Sequence, residues 1–224
     1  MAEALGVAIV GAESTGKTTL ALALAERLRA DTGQRAACVP ELLRGWCDAA
    51  GRTPQAHEQA SILRAQHERI EQARESHDIV VCDTTALMTA VYSHLIFGDR
   101  SLEQRAAELH RRHVTVTLLT AIDLPWVPDG LQRDGPQVRE PVDDALRMLL
   151  QRHAIPFAVV GGQGAARLAQ ARAALQPWLG DAGPAVRAGL FTGLGQRGGT
   201  RWACECCPDP ASERALLRRS GQAV

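Results

Sequence analysis

The chain has little of several things. Its 224 residues include a single lysine, Lys17, and the rest of its basic side is arginine. It has no charge excess: lysine plus arginine equals aspartate plus glutamate, at 25 each. That balance excludes the broad basic footprint by which a domain holds a nucleic-acid backbone. It has no apolar run near the ~20 residues that a membrane-spanning helix needs, so no membrane partner is expected. Its start, Met1-Ala2-Glu3-Ala4, lacks the basic segment that opens a signal peptide. The expectation is therefore a cytoplasmic protein, whose scattered cysteines (Cys38, Cys47 and Cys82) are small buried hydrophobes rather than disulfide partners.

What is present is long enough for one sizeable α/β domain and an appendage. After the apolar run Leu5–Val10 comes Gly11-Ala12-Glu13-Ser14-Thr15-Gly16-Lys17-Thr18-Thr19. This is the spacing G-x-x-x-x-G-K-[ST], between a strand pattern and a helix pattern. Glycines let the backbone curl so that successive N–H groups face phosphate oxygens. The helix behind adds the positive end of its dipole. Residues 11–19 are thus expected to cradle a nucleoside triphosphate, ATP or GTP. Lys17 is expected on the β- and γ-phosphates, and Thr18 on Mg²⁺. The bland alternative is a chance glycine turn with an exposed lysine.

Apolar strand patterns alternate with helical ones, which predicts a five-stranded, mainly parallel sheet flanked by helices. The expected strands are 7–10, 36–39, 78–83, 114–120 and 157–160. The expected helices are 17–29, 41–49, one from Thr53-Pro54 to Ser76, 86–96, 102–111, 141–153 and 165–178. After Leu179 the composition shifts, with glycine and proline recurring through Arg201. This divides the chain into a P-loop domain over 1–179 and a Gly/Pro-rich tail over 180–224.

Parallel sheets of this kind bind ligands at the carboxyl ends of their strands. Four polar groups fall there. Beside the P-loop stand Glu41 and Arg44 after the second strand, Asp83 after the third, and Asp123 with a long loop after the fourth. Asp83 suits Mg²⁺, or the proton of an attacking hydroxyl; alternatively it caps the next helix. Glu41 could take that proton or hold substrate hydroxyls, or be a solvated first-turn residue. The loop 124–140 carries Trp126, Asp129, Arg133 and Arg139. Its prolines and spaced arginines suit a lid that brings positive charge to a transferring phosphoryl group, with Trp126 stacking on a flat ligand; a plain surface loop is the alternative. Cys204, Cys206 and Cys207 form a candidate Zn²⁺ site without a local fourth ligand, or a tail with free thiols. The histidines fall in no metal-binding spacing, and His67, on a charged helix, is expected to face water.

Four segments occur in one order: Gly-Ala-Glu-Ser-Thr-Gly-Lys-Thr-Thr-Leu from Gly11, Val-Pro-Glu-Leu-Leu-Arg at 39–44, Cys-Asp-Thr-Thr at 82–85, and Asp-Leu-Pro-Trp-Val-Pro-Asp-Gly-Leu-Gln-Arg at 123–133. Together they resemble the nicotinamide riboside kinase domain of NadR-type proteins, a branch of the P-loop kinases often labelled AAA-type ATPases. The resemblance spans roughly residues 5–175. It implies transfer of the γ-phosphoryl group of ATP, with Mg²⁺, to the 5′-hydroxyl of nicotinamide riboside. It also implies triphosphate binding by Gly16, Lys17 and Thr18, the strand-three carboxylate at Asp83, and lid arginines at Arg133 and Arg139. Two other readings remain: a nucleotide-dependent switch whose tail is an interaction element, and a kinase of another nucleoside.

Overall fold

The computed structural model describes residues 3–127 and 135–179. Five strands form one sheet: β1 (Leu5–Val10), β2 (Ala36–Val39), β3 (Ile79–Asp83), β4 (Val116–Thr120) and β5 (Ala158–Val160). Their order is β2-β3-β1-β4-β5 and every pairing is parallel. The helices are α1 (Lys17–Thr32), α2 (Leu42–Ala50), α3 (Gln59–Ser76), α4 (Ala86–Phe97), α5 (Glu103–His113), α6 (Arg139–Arg152) and α7 (Gly164–Leu175). None of the described helices is long and apolar enough to cross a membrane.

Burial on both faces explains the sequence of β1. Val7 and Ile9 point to one side, where Leu20, Leu24 and Leu28 of α1 meet Ala171 and Leu175 of α7. Ala8 and Val10 point to the other, against α4, α5 and α6. A strand covered twice has no polar face to offer, so it reads as a continuous apolar run. Each fully buried leucine contributes about 1.5–3 kcal/mol, which outweighs the weak helix amphipathy of so alanine-rich a segment as α1.

Two helix starts differ from expectation by more than one residue. The third helix does not begin at Thr53-Pro54. A 3-10 turn at Ala56–Glu58 precedes it, and α3 proper begins at Gln59. Glu58 reaches back to accept from the Gln55 N–H at 2.8 Å, while Arg52 grips both its carboxylate oxygens at 2.7 and 2.8 Å. That reciprocal cap puts the helix entrance at Gln55. The sixth helix starts at Arg139, ahead of Pro141. The proline sits in the first turn, where its missing N–H has no intrahelical partner to lose.

Candidate active site

The loops leaving β1, β2 and β3 meet at one edge of the sheet, and the P-loop is locked there from beneath. Gly11 (φ +151°) lies against β4, and a Cβ at this position would strike the Thr120 hydroxyl. Thr15 is fully buried, its hydroxyl 2.7 Å from both the Ala12 carbonyl and the Thr120 hydroxyl. Its side chain therefore shapes the loop, and only its backbone is available to a phosphate. Gly16 enters α1 with φ +75°, a left-handed value cheap only for glycine. Ser14 also has positive φ, +55°. Its hydroxyl accepts from the Val127 N–H at 2.8 Å, joining the P-loop to the segment after β4. Lys17 Nζ donates to the Ala12 carbonyl at 2.8 Å, across the mouth of the loop. Thr18 and Thr19 are exposed on the first turn of α1.

Asp83 ends β3 beside Ile9, two residues before Gly11. It is 2% exposed, and its Oδ1 has no hydrogen-bond partner among the described residues. It does not cap α4: that task falls to Thr85, whose hydroxyl accepts from the Leu87 N–H at 3.4 Å. The capping alternative for Asp83 is thereby removed. The chain then turns through Thr84 at φ +70°, a strained value for a β-branched residue. Thr85 in turn meets His110 Nδ1 at 3.1 Å, and His110 Nε2 meets Thr117 of β4 at 2.8 Å. Burial pushes the His110 imidazole down to about 3, so it stays neutral and holds the base of the site.

Glu41 precedes α2, whose first N–H, at Leu42, donates to Gln66 Oε1 at 2.7 Å. Burial raises the Glu41 carboxyl above its ordinary value. Lys17 opposes that rise, Asp83 adds to it, Arg44 opposes it and Glu13 adds a smaller push. The Glu41 carboxyl thus feels charged groups from the P-loop, from its own helix and from the end of β3. Glu13 Oε2 is also buried, with no hydrogen-bond partner among the described residues.

A cavity of about 790 Å³ opens from Glu13 and Lys17. Its walls are Glu41, Leu43 and Arg44 from the α2 side, and Pro54, Gln55 and Gln59 from the α3 entrance. Tyr92, Leu95, Ile96 and Phe97 of α4 and Val138 and Val142 near the start of α6 close it. It has the size and the mix of apolar wall and few polar groups of a small-molecule site. Periodicity alone assigned the α4 residues to a helix without showing that its last turn lines a cavity.

The predicted lid residues separate. Arg139 is 7% exposed at the start of α6 and donates through Nη1 to the Leu124 carbonyl at 2.9 Å. Its Nε and Nη2 are buried and have no hydrogen-bond partner among the described residues. Trp126 is half-buried and not on the cavity wall. Asp129 and Arg133, with Cys204, Cys206 and Cys207, lie outside the described residues.

One residue was missed. Arg167 of α7 is 4% exposed. It pairs with Asp123, donates to the Thr15 carbonyl of the P-loop, and reaches the Ala121 carbonyl at 3.4 Å. Asp123 Oδ2 also accepts from the Gly162 N–H at 2.5 Å. The signal was available: Arg167 occupies the same helix face as buried Ala171 and Leu175, where an arginine must have partners to be tolerated. His67 is a correction as well. It is 6% exposed, packed on His113 and paired with Glu71 instead of facing water. The scattered thiols behave as expected: Cys47 and Cys82 are buried, and burial pushes Cys38 to about 11 and Cys82 to about 12.

A family model described as an AAA domain matches residues 6–167. No curated protein sequence matches the chain. Among solved structures, NadR protein in complex with NR superposes with a TM-score of 0.63, and NadR protein in complex with NAD and AMP-PNP with 0.61. Each is 20% identical and matches 79% of this chain, but 51% and 50% of the NadR chains. Thymidylate kinase from Ehrlichia chaffeensis superposes with a TM-score of 0.52 at 14% identity, over 79% of this chain and 99% of its own. The chain spans about half the length of the NadR structures, and at these identities the likeness is one of fold: a parallel α/β sheet flanked by helices.

Proposed function

The chain belongs to the AAA-domain family matched over residues 6–167, and from that premise we propose that it is an ATP-dependent kinase of a nucleoside-like alcohol. We take nicotinamide riboside as the acceptor and nicotinamide mononucleotide as the product, a step of NAD biosynthesis. The observation that carries this reading is the cavity that starts at Lys17 and Glu13 and runs past Glu41 to α4. A nucleotide switch needs a phosphate site and a responsive surface; a kinase also needs a chamber for a second substrate beside the phosphates. The likeness to NadR in complex with NR supports the choice of acceptor.

In this reading the P-loop N–H groups and Lys17 hold the β- and γ-phosphates. Lys17 exchanges its bond to the Ala12 carbonyl for phosphate oxygens. The residues fit a Mg²⁺ ion: the partnerless, buried Oδ1 of Asp83 and the exposed hydroxyl of Thr18 are hard oxygen donors beside the phosphate cradle. Mg²⁺ would neutralise charge building up on the transferring group. Asp83 also stands ready to accept the proton of the attacking hydroxyl. Glu41 and Arg44 hold the sugar, and the α4 wall receives its base. Arg139, two of whose buried nitrogens have no hydrogen-bond partner among the described residues, offers positive charge to the phosphoryl oxygens. Arg133 and Asp129 complete the proposed lid.

The test is direct. Purified protein with ATP and Mg²⁺ is offered a panel of nucleosides, and products are identified by mass. Phosphorylated nicotinamide riboside as the dominant product is expected. Transfer to another nucleoside would replace the acceptor and keep the kinase. ATP binding without transfer to any member would favour the switch.

A further inference from the structure

A second cluster of chemistry-bearing side chains lies at the opposite, amino edge of the sheet. His67 and Glu71 stand one turn apart on α3, and His113 ends α5. Nε2 of His67 is 3.3 Å, and Nε2 of His113 3.1 Å, from the same Glu71 oxygen. All three donor atoms lie within 4.8 Å of one another. The two imidazoles stack with centroids 4.9 Å apart and planes inclined by 28°. We propose that His67, Glu71 and His113 form a binding site for a divalent cation of the zinc class, which ties α3 to α5.

Two imidazoles and one carboxylate are a donor set that zinc accepts, with a fourth position for water. At metal–ligand distances near 2.0–2.1 Å, tetrahedral donors stand about 3.3 Å apart; the two donor separations from Glu71 lie at that value and just below it. The donors are also held in place. His67 and Glu71 are helix neighbours at i and i+4, which face each other. The His113 carbonyl accepts from Arg74 Nη1 at 2.9 Å, and the same guanidinium binds the Ala4 carbonyl at 2.7 Å, fixing the end of α5 against β1. His113 Nδ1 is buried with no hydrogen-bond partner among the described residues, so Nε2 is the nitrogen turned to the cluster.

The charges around it divide clearly. Arg74 is occupied by Ala4, His113 and Glu3. Arg112 lies 3.9 Å from the Glu71 oxygen, and its side chain is 62% exposed. It can leave for solvent when a cation takes its place. Because His113 precedes β4, whereas the P-loop follows β1 at the other edge, the ion would act on stability and not on phosphoryl transfer.

The test uses the full chain with Cys204, Cys206 and Cys207 changed to serine, stripped with a chelator and titrated with Co²⁺ and Zn²⁺. One equivalent is expected to bind, with visible Co²⁺ bands but no thiolate charge transfer, and Zn²⁺ is expected to raise Tm. Glu71→Gln and His113→Gln should each weaken binding by about tenfold or more, with Asp83→Asn binding as the parent does. His67→Gln gives the same reading if His113→Gln fails to fold. The proposal is overturned by absence of stoichiometric binding, by unchanged affinity in these variants, or by loss of the ion in Asp83→Asn, which would move it to the nucleotide site.

Discussion

The two edges of the sheet treat their polar groups in opposite ways. At the amino edge, charges are matched. Arg35 and Asp78 meet in two side-chain bonds, which hold the aspartate down to about 2, and Arg74 ties Ala4 to His113. At the carboxyl edge, buried atoms of Glu13, Asp83 and Arg139 have no hydrogen-bond partner among the described residues. Ser14 and Thr84, two of the three described non-glycine residues with positive φ, also sit there. Unmet buried polar groups and strained backbone cost stability. Glu13 Oε2, Asp83 Oδ1, and Nε and Nη2 of Arg139 lie among the groups that we assign to the proposed site, as do the two strained residues. The amino edge is not without such atoms: His113 Nδ1 at the end of α5 and His153 Nε2 just after α6 are also buried with no hydrogen-bond partner among the described residues, the first in the cluster to which we assign a cation.

The contrast predicts that changes at the carboxyl edge cost turnover, and changes to its supports cost stability. The largest effect is expected for Lys17→Ala, with phosphoryl transfer falling roughly 10²–10³-fold. Asp83→Asn should fall about as far but retain nucleotide affinity, and Tm should not drop, since Oδ1 is buried with no hydrogen bond to lose among the described residues. Single-turnover assays and nucleotide titrations check both, and normal turnover in either variant would break the comparison. Arg167→Ala comes next. It strands the Thr15 carbonyl and should cost about 2–4 kcal/mol in denaturant melts, loosening the P-loop so that the KM for ATP rises. Arg167→Lys should restore the stability only in part, because it cannot bridge both partners.

The His110 contribution is sharpened by pH. Its native value, near 3, lies below the ordinary 6.5, so the unfolded chain binds the extra proton. The stability is full above pH 6.5 and is lost as pH falls from there toward 3. Thermal melts should show this slope, and His110→Gln should flatten it. The smallest effect is expected for Glu41→Gln. Its carboxyl is raised by burial, so stability falls as pH rises through its native value. The neutral variant should melt slightly higher at pH 7 while losing acceptor turnover. A lower Tm would mean that Glu41 is a structural residue.

The P-loop, its flanking strand and helix, and the alternation of elements were legible because each is local: glycine spacing, apolar period and capping chemistry act within one turn or one strand. The placement of Glu41, Arg44 and Asp83 at one edge followed from parallel topology alone. The entrance of α3 was misread because Arg52 draws Glu58 into a cap that no propensity reveals. His67 was misread because the partner that buries it, His113, is far away in the chain.

By itself, then, the sequence determined the fold class, the P-loop between β1 and α1 and the edge at which Glu41, Arg44 and Asp83 stand, since local backbone preferences and burial period decide those. Only the tertiary structure decided that Thr85 rather than Asp83 caps α4 and that Arg167 braces the P-loop. It alone brought α2, the α3 entrance, α4 and α6 around one cavity, and His67, Glu71 and His113 into one cluster. Those outcomes depend on contacts between residues distant in the chain, where packing chooses which buried polar groups find partners and which are left for a ligand.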